Sequence, residues 1–255
     1  MYGIEKQLVD QMIKLKTDYD LRGIKAEFEA EGSSFRDLLR LRRVTSSADL
    51  GLFLKIGGVE AVRDIKDSLE IGVDGLIAPM VESKFGAEKF VSAYKKIYKD
   101  HRIHLSINVE TKNGVDQFDE IVRYAEGKVD NITIGRTDLC GSYHDPEITP
   151  NCDFILDRIE AMAEKTKRHG LTLTVGGSVS IDTLSAFKQR KRLRQLVYKV
   201  ETRKIMFLTE QILLTDESLK QALLFEKLYI LSKKEFSDLF IESEVARLTE
   251  LQRRI

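Results

Sequence analysis

The chain is 255 residues long, 42% hydrophobic and 32% charged, which is enough to bury a sizeable core and suits one α/β barrel or two small domains. Its 41 lysines and arginines match its 41 aspartates and glutamates, so no net field draws it to nucleic acid or to an anionic membrane surface. Two cysteines are too few for a disulfide framework, the charged N-terminus has no apolar signal core, and no apolar run nears the roughly 20 residues that span a bilayer; a soluble cytoplasmic protein is expected.

In chain order, a helix-like segment at Ile4–Tyr19 precedes short β-branched runs that alternate with amphipathic stretches. The runs are Gly23–Glu29, Leu52–Ile56, Gly75–Met80, Leu105–Glu110, Asn131–Gly135, Leu171–Val175 and Leu196–Val200. Between them, segments such as Gly58–Ile71, Phe85–Asp100, Gly114–Glu126 and Asp153–His169 repeat apolar residues every three or four positions. This alternation, at about 30 residues per unit, predicts a parallel sheet, either doubly wound or closed into a TIM-type (β/α)8 barrel, and the barrel is the expected form. Seven strands are evident; the eighth is expected near Lys204–Thr209, or the barrel is incomplete or irregular. The basic run Lys188–Arg194 reads as a solvated helix face, with a polyanion patch as the alternative. A helical extension from about Asp216 to Ile255, broken near Ser232 and Ser237, is expected to cap the barrel bottom or to pack on a neighbouring subunit. Three prolines and no low-complexity tract leave no linker, so residues 1–255 are expected to form one domain.

In such a barrel the functional groups lie at the C-terminal ends of the strands. Those positions hold Glu27, Glu29, Lys55, Glu82, Glu110, Asp138, Gly176–Ser178 and Glu201–Arg203. Carboxylates crowded on one face repel one another, so a divalent cation is a simple way to neutralise them. Glu110 ends one strand and Asp138 lies just beyond the next, which places both within reach of one ion; capping of the following helices is the plainer reading.

The segments GLIAPMVES (Gly75–Ser83), INVETKNG (Ile107–Gly114) and ITIGRTDL (Ile132–Leu139) together resemble the HpcH/HpaI aldolase and citrate lyase β-subunit family, with similarity from about Gly23 to Arg203. The resemblance implies a metal-dependent carbon–carbon lyase acting on pyruvate or a similar 2-oxo acid. It assigns Glu110 and Asp138 as ligands of Mg²⁺ or Mn²⁺, and the Arg136–Thr137 loop as the seat of the substrate carboxylate. It also implies a homo-oligomer and a small-molecule oxo-acid substrate; the balanced charge and the lack of an apolar span leave nucleic acid and membrane out of the expected partners.

Two positions depart from the family pattern. Lys55 stands where the family carries an arginine at the keto oxygen, and a lysine cannot form the bidentate fork; it also opens a Schiff-base alternative. Arg203 is a candidate to supply the missing guanidinium. Ala30 stands where the family has its histidine base, and Glu29, Glu31 and His144 are candidates to replace it. The turn Gly176-Gly177-Ser178 before a helix start offers N–H groups to a substrate and raises a second reading, phosphoenolpyruvate or a phosphorylated sugar-acid as substrate; a tight turn with Ser180 or Asp182 capping the helix is the plainer one. A third reading is a barrel without catalysis, serving as a binding subunit.

Overall fold

The computed structural model describes residues 2–254. Eight strands close a barrel in sequence order: β1 Leu21–Glu27, β2 Leu52–Lys55, β3 Gly75–Ala78, β4 His104–Asn108, β5 Asn131–Gly135, β6 Thr172–Gly176, β7 Lys199–Glu201 and β8 Ile205–Leu208. Strands β1 to β7 run parallel to one another, whereas β8 is antiparallel to both β7 and β1. The expected eighth strand therefore exists, but reversed. Only Thr202, Arg203 and Lys204 separate it from β7, far fewer residues than a parallel crossover needs. The barrel is closed and irregular.

Period-two alternation sorts each strand. Ile24, Ala26, Leu52, Leu54, Ile107, Ile132, Ile134 and Val175 are buried in the apolar core between strands and helices. The alternate residues point into the barrel and are mostly polar. Asn131 there donates to Ser106 Oγ at 2.8 Å and accepts from Thr174 Oγ1 at 2.9 Å. Phe53 fills the lower interior between Gly23 and Gly75, where an added Cβ at either glycine would lie 2.4 Å from its ring.

Helix α1 (Gly3–Tyr19) precedes β1, and the last helix, Glu217–Gln252, packs antiparallel to it, with Gln11 bonded to Gln221 and Tyr2 stacked edge-on against Phe236. This last helix starts below the barrel and climbs its side to the mouth; it does not cap the bottom. The expected breaks at Ser232 and Ser237 are absent, because each hydroxyl donates back to a carbonyl of the preceding turn and the helix runs on. Residue 255, the end of the expected extension, lies outside the described residues. The basic run is a solvated face neutralised by acids: Arg190 pairs with Asp153 and Asp157, Arg192 with Glu164, and Arg194 with Glu210. No described helix is long and apolar enough to cross a membrane.

Candidate active site

The inward positions at the C-terminal strand ends surround a cavity of about 460 Å³. It is lined by Lys25, Glu27, Glu29, Lys55, Asn108, Glu110, Thr137, Asp138, Ser178, Glu201 and Arg203, with Leu223 and Glu226 contributed by the last helix. Because β8 is reversed, its hairpin turn lies at the mouth and brings Arg203 there.

Lys55 at the end of β2 is the hub of one side. Its Nζ lies 2.7 Å from Glu29 Oε2 and 3.3 Å from Glu110 Oε1. Burial alone would lower the lysine pKa, but Glu110 and Glu29 beside it raise it above its ordinary value, so it is an ammonium at neutral pH. Glu110 is buried, and that burial raises its pKa despite Lys55; its carboxylate accepts from Met80 N at 3.1 Å and from Asn108 Nδ2 at 3.1 Å. Gly135 makes room for it, since a Cβ there would lie 2.3 Å from Glu110 Oε2.

A second cluster holds the opposite charges of β1 and β7 together. Lys25 Nζ lies 2.9 Å from Glu201 Oε1 and 3.3 Å from Glu27 Oε1. Burial opposes its charge, but Glu201 and Glu27 more than offset this and raise its pKa; Glu27 is in turn held below the usual carboxylate range against its own burial by Lys25 and Lys55. The crowded carboxylates are thus paired largely with lysines, and the inference that they need a cation for want of any partner is corrected in that respect. Six carboxylates line the cavity against Lys25, Lys55 and Arg203, so three negative charges remain. Asp138, exposed at the start of the short helix α2 (Arg136–Gly141), has no ion-pair partner among the described residues.

The remaining expected residues divide. Gly177 adopts φ +77° and lies so close to α2 that a Cβ would sit 2.6 Å from Thr137 N, while the Thr137 and Ser178 hydroxyls meet at 2.9 Å on the cavity wall. Ser180 caps the next helix by accepting from Thr183 N, as the plainer reading of that turn anticipates. The Arg136 side chain does not reach the cavity. It is fully buried and donates to the carbonyls of Gly176, Gly177 and Pro150 and to Asn151 Oδ1, so it braces the Gly176–Gly177 turn from behind. His144 is exposed in the loop after α2 and is not among the cavity residues; Glu31 is locked to Lys204, and Glu82 is likewise outside. Of the replacements considered for the base, only Glu29 faces the cavity. Lys25, Asn108, Leu223 and Glu226 were not anticipated. Lys25 was accessible from alternation, lying two residues before Glu27 on the same face.

A Mg²⁺ or Mn²⁺ ion fits the hard oxygen donors of Glu110 and Asp138 and the residual negative charge. Two protein carboxylates, with water and substrate completing the shell, suit such an ion, although no group of three or more His, Cys, Asp or Glu residues forms a metal cage among the described residues. Lys55 already contacts Glu110 and would share it with the ion.

No curated protein matches the chain in sequence. Several solved structures share its fold. An HpcH/HpaI aldolase from Desulfitobacterium hafniense DCB-2 superposes with TM-score 0.58 at 17% identity, covering 72% of this chain and 78% of that one. A variant of the citrate synthase SbnG gives 0.59 at 18%, covering 89% and 90%. An HpcH/HpaI aldolase/citrate lyase family protein from Burkholderia cenocepacia J2315 gives 0.60 at 17%, covering 86% and 90%. In sequence the chain matches the HpcH/HpaI aldolase/citrate lyase family over residues 42–189, which spans β2 to β6 and includes Lys55, Glu110, Asp138 and Gly177. With more than half of its length in that match and the fold in agreement, the chain belongs to the HpcH/HpaI aldolase/citrate lyase family.

Proposed function

We propose that this protein is a metal-dependent lyase that makes or breaks the carbon–carbon bond next to pyruvate or a similar 2-oxo acid through its enolate. The observation that supports this most is the convergence of Glu110 and Asp138 on a cavity with three unneutralised negative charges, which an anionic oxo-acid alone would not enter. A bound Mg²⁺ or Mn²⁺ would supply Lewis-acid stabilisation of the charge that develops on the oxo oxygen.

The chain's own residues divide the remaining work. The Thr137 and Ser178 hydroxyls and the backbone beside Gly177 hold the substrate carboxylate. The Lys55 ammonium faces the developing oxyanion as a point charge in place of a guanidinium. Glu29 takes the C3 proton of the oxo-acid. The carbon nucleophile then bonds to an aldehyde carbon, whose carbonyl electron pair moves to its oxygen and is protonated; cleavage is the reverse. Arg203 lies at the rim, 3.9 Å from Glu226, where it guides the anion in. The Schiff-base alternative is disfavoured because Lys55 is held as an ammonium between two carboxylates. The phosphorylated-substrate reading is disfavoured by the negative cavity. A homo-oligomer is part of the proposal, supported by Ile241, Val245 and Leu248, which are exposed on one stripe of the last helix beyond its contact with the barrel.

The test is thermal unfolding of metal-free protein with Mn²⁺, then with pyruvate or oxalate, a mimic of the pyruvate enolate. A stepwise rise in Tm, lost in Glu110→Gln, is expected. No response to either would leave a barrel without this chemistry, consistent with a binding subunit.

A further inference from the structure

The chain has two cysteines, and the fold brings both to one place outside the cavity. Cys140 is buried near the end of α2, and Cys152 is half-buried at the residue before the helix Asp153–Arg168. Both are free thiols, and neither takes part in the chemistry proposed above.

Contacts on either side bracket the pair. Arg136 and Cys140 lie one turn apart on α2 and so share a face. The Arg136 guanidinium donates to Pro150 O at 3.2 Å and to Asn151 Oδ1 at 2.7 Å, which sets that face against the residues just before Cys152. Beyond the cysteines, Tyr143 meets Phe154 edge-on with ring centroids 5.1 Å apart. Cys140 therefore lies between Arg136 and Tyr143, and Cys152 lies between their respective partners Asn151 and Phe154. Cys140 belongs to the apolar core, and Cys152 packs against that core. Burial, and then the neighbouring Cys152, push the Cys140 thiol above its ordinary pKa.

The chain between them is adaptable. Its eleven residues, 141–151, form separate turns closed by His144 N to Gly141 O, Ile148 N to Asp145 O and Cys152 N to Thr149 O, each at 3.1 Å. Beyond the end of α2 no regular helix or strand holds this loop, so it absorbs the shift that joins two sulfurs.

We infer that Cys140 and Cys152 are a reversible modification site, a dithiol that a hydroperoxide oxidises to a disulfide within the chain. The more accessible Cys152 sulfur attacks a peroxide oxygen and the O–O bond breaks; Cys152 becomes a sulfenic acid and one water leaves. The Cys140 sulfur then displaces that hydroxyl group, which departs as a second water with the Cys140 proton. The two thiols lose two electrons and two protons, and one hydrogen peroxide becomes two waters. Exchange with an external thiol reverses the bond. The bridge fastens the end of the helix that carries Thr137 and Asp138, so oxidation stiffens one wall of the cavity. Its formation does not depend on the enolate reading.

The test uses the reduced full-length protein, treated with a few equivalents of hydrogen peroxide, blocked with iodoacetamide and digested with a glutamate-specific protease. Glu147 is the only glutamate between the two cysteines, so the bridge is read as two joined peptides that dithiothreitol separates. Joining within one chain is expected, with a Tm about 5 °C above that of the reduced protein that returns on reduction. Cys140→Ser is expected to leave a Cys152 sulfenic acid that dimedone traps. Sulfinic acid at Cys152 of the parent without joined peptides, or joining only between chains, overturns the assignment. So does an unchanged Tm in the bridged protein, which would show that the bond clamps nothing.

Discussion

Lys55 Nζ lies 3.3 Å from Glu110 Oε1, so the residue proposed as an electrophile already contacts the residue proposed as a metal ligand. In the proposed mechanism the ammonium and a bound ion would compete for one carboxylate, while Lys55 would also face the developing oxyanion. Lys55→Met is therefore expected to tighten Mn²⁺ binding by about 10-fold while lowering the rate of deuterium exchange at pyruvate C3 in D₂O by about 100-fold. Titration of Mn²⁺ by electron paramagnetic resonance and exchange by NMR read the two effects separately. Weaker metal binding in this variant would mean that Lys55 supports the ion and does not compete with it.

Gly135 gives the carboxylate of Glu110 its place. A methyl group at 135 would lie 2.3 Å from Glu110 Oε2 and 3.0 Å from its Cβ, so the side chain must rotate away. Gly135→Ala is expected to keep the circular dichroism spectrum of the parent and to lose about 100-fold in turnover, because a misplaced Glu110 carboxylate would disrupt the proposed reacting geometry. Unchanged turnover would show that Glu110 does not need its present position.

Arg136 has a structural role that its place in the family-like ITIGRTDL segment conceals. Its guanidinium is buried without a carboxylate partner, which lowers its pKa to about 10, and its donors fasten Gly176, Gly177, Pro150 and Asn151 together. Arg136→Ala would strand these acceptors and is expected to cost roughly 3–5 kcal/mol of stability. Urea unfolding measures it, and a loss below about 1 kcal/mol would return Arg136 to the substrate-binding candidates.

Residue by residue, strand-end positions were legible and tertiary partners were not. Glu110, Asp138, Lys55 and the Gly177 turn follow from strand periodicity and the rule that barrels work at their C-terminal ends. The reversal of β8 was implicit in the three residues between Glu201 and Ile205, but a four-residue apolar run carries no direction of its own. The pairing of Lys25 with Glu201 joins positions 176 residues apart, and Glu226 reaches the cavity only because the last helix docks along α1. Such contacts depend on how the barrel closes, which local sequence does not encode.

His104, at the lower end of the barrel interior, makes stability depend on pH. Burial, reinforced by the nearby positive charge of Lys199 and opposed by Asp130, lowers its pKa from 6.5 to about 4. Between those values the unfolded chain binds a proton that the folded chain does not. The native state therefore loses stability as pH falls from about 6.5 towards 4 and recovers it as pH rises. Replacing His104 with Asn is expected to flatten the urea midpoint across this interval relative to the parent. An equal slope in both proteins would assign the dependence to other groups.

The last helix has two halves with different surroundings. Up to Phe236 its buried residues pack on the barrel and on α1, with Arg40 over the Phe236 ring at 3.9 Å; beyond it Leu239, Phe240, Ile241, Val245 and Leu248 are exposed. Ile241, Val245 and Leu248 recur at spacings of four and three, so they form one apolar stripe that a second subunit would cover. Ile241→Asp combined with Leu248→Asp is expected to lower the mass seen by light scattering without changing the thermal response to Mn²⁺, because no cavity residue lies beyond Glu226. A parent protein that is already monomeric, or a variant that keeps the parent's mass, would remove this stripe from the assembly. A loss of the Mn²⁺ response together with the mass would show instead that a neighbouring subunit completes the site.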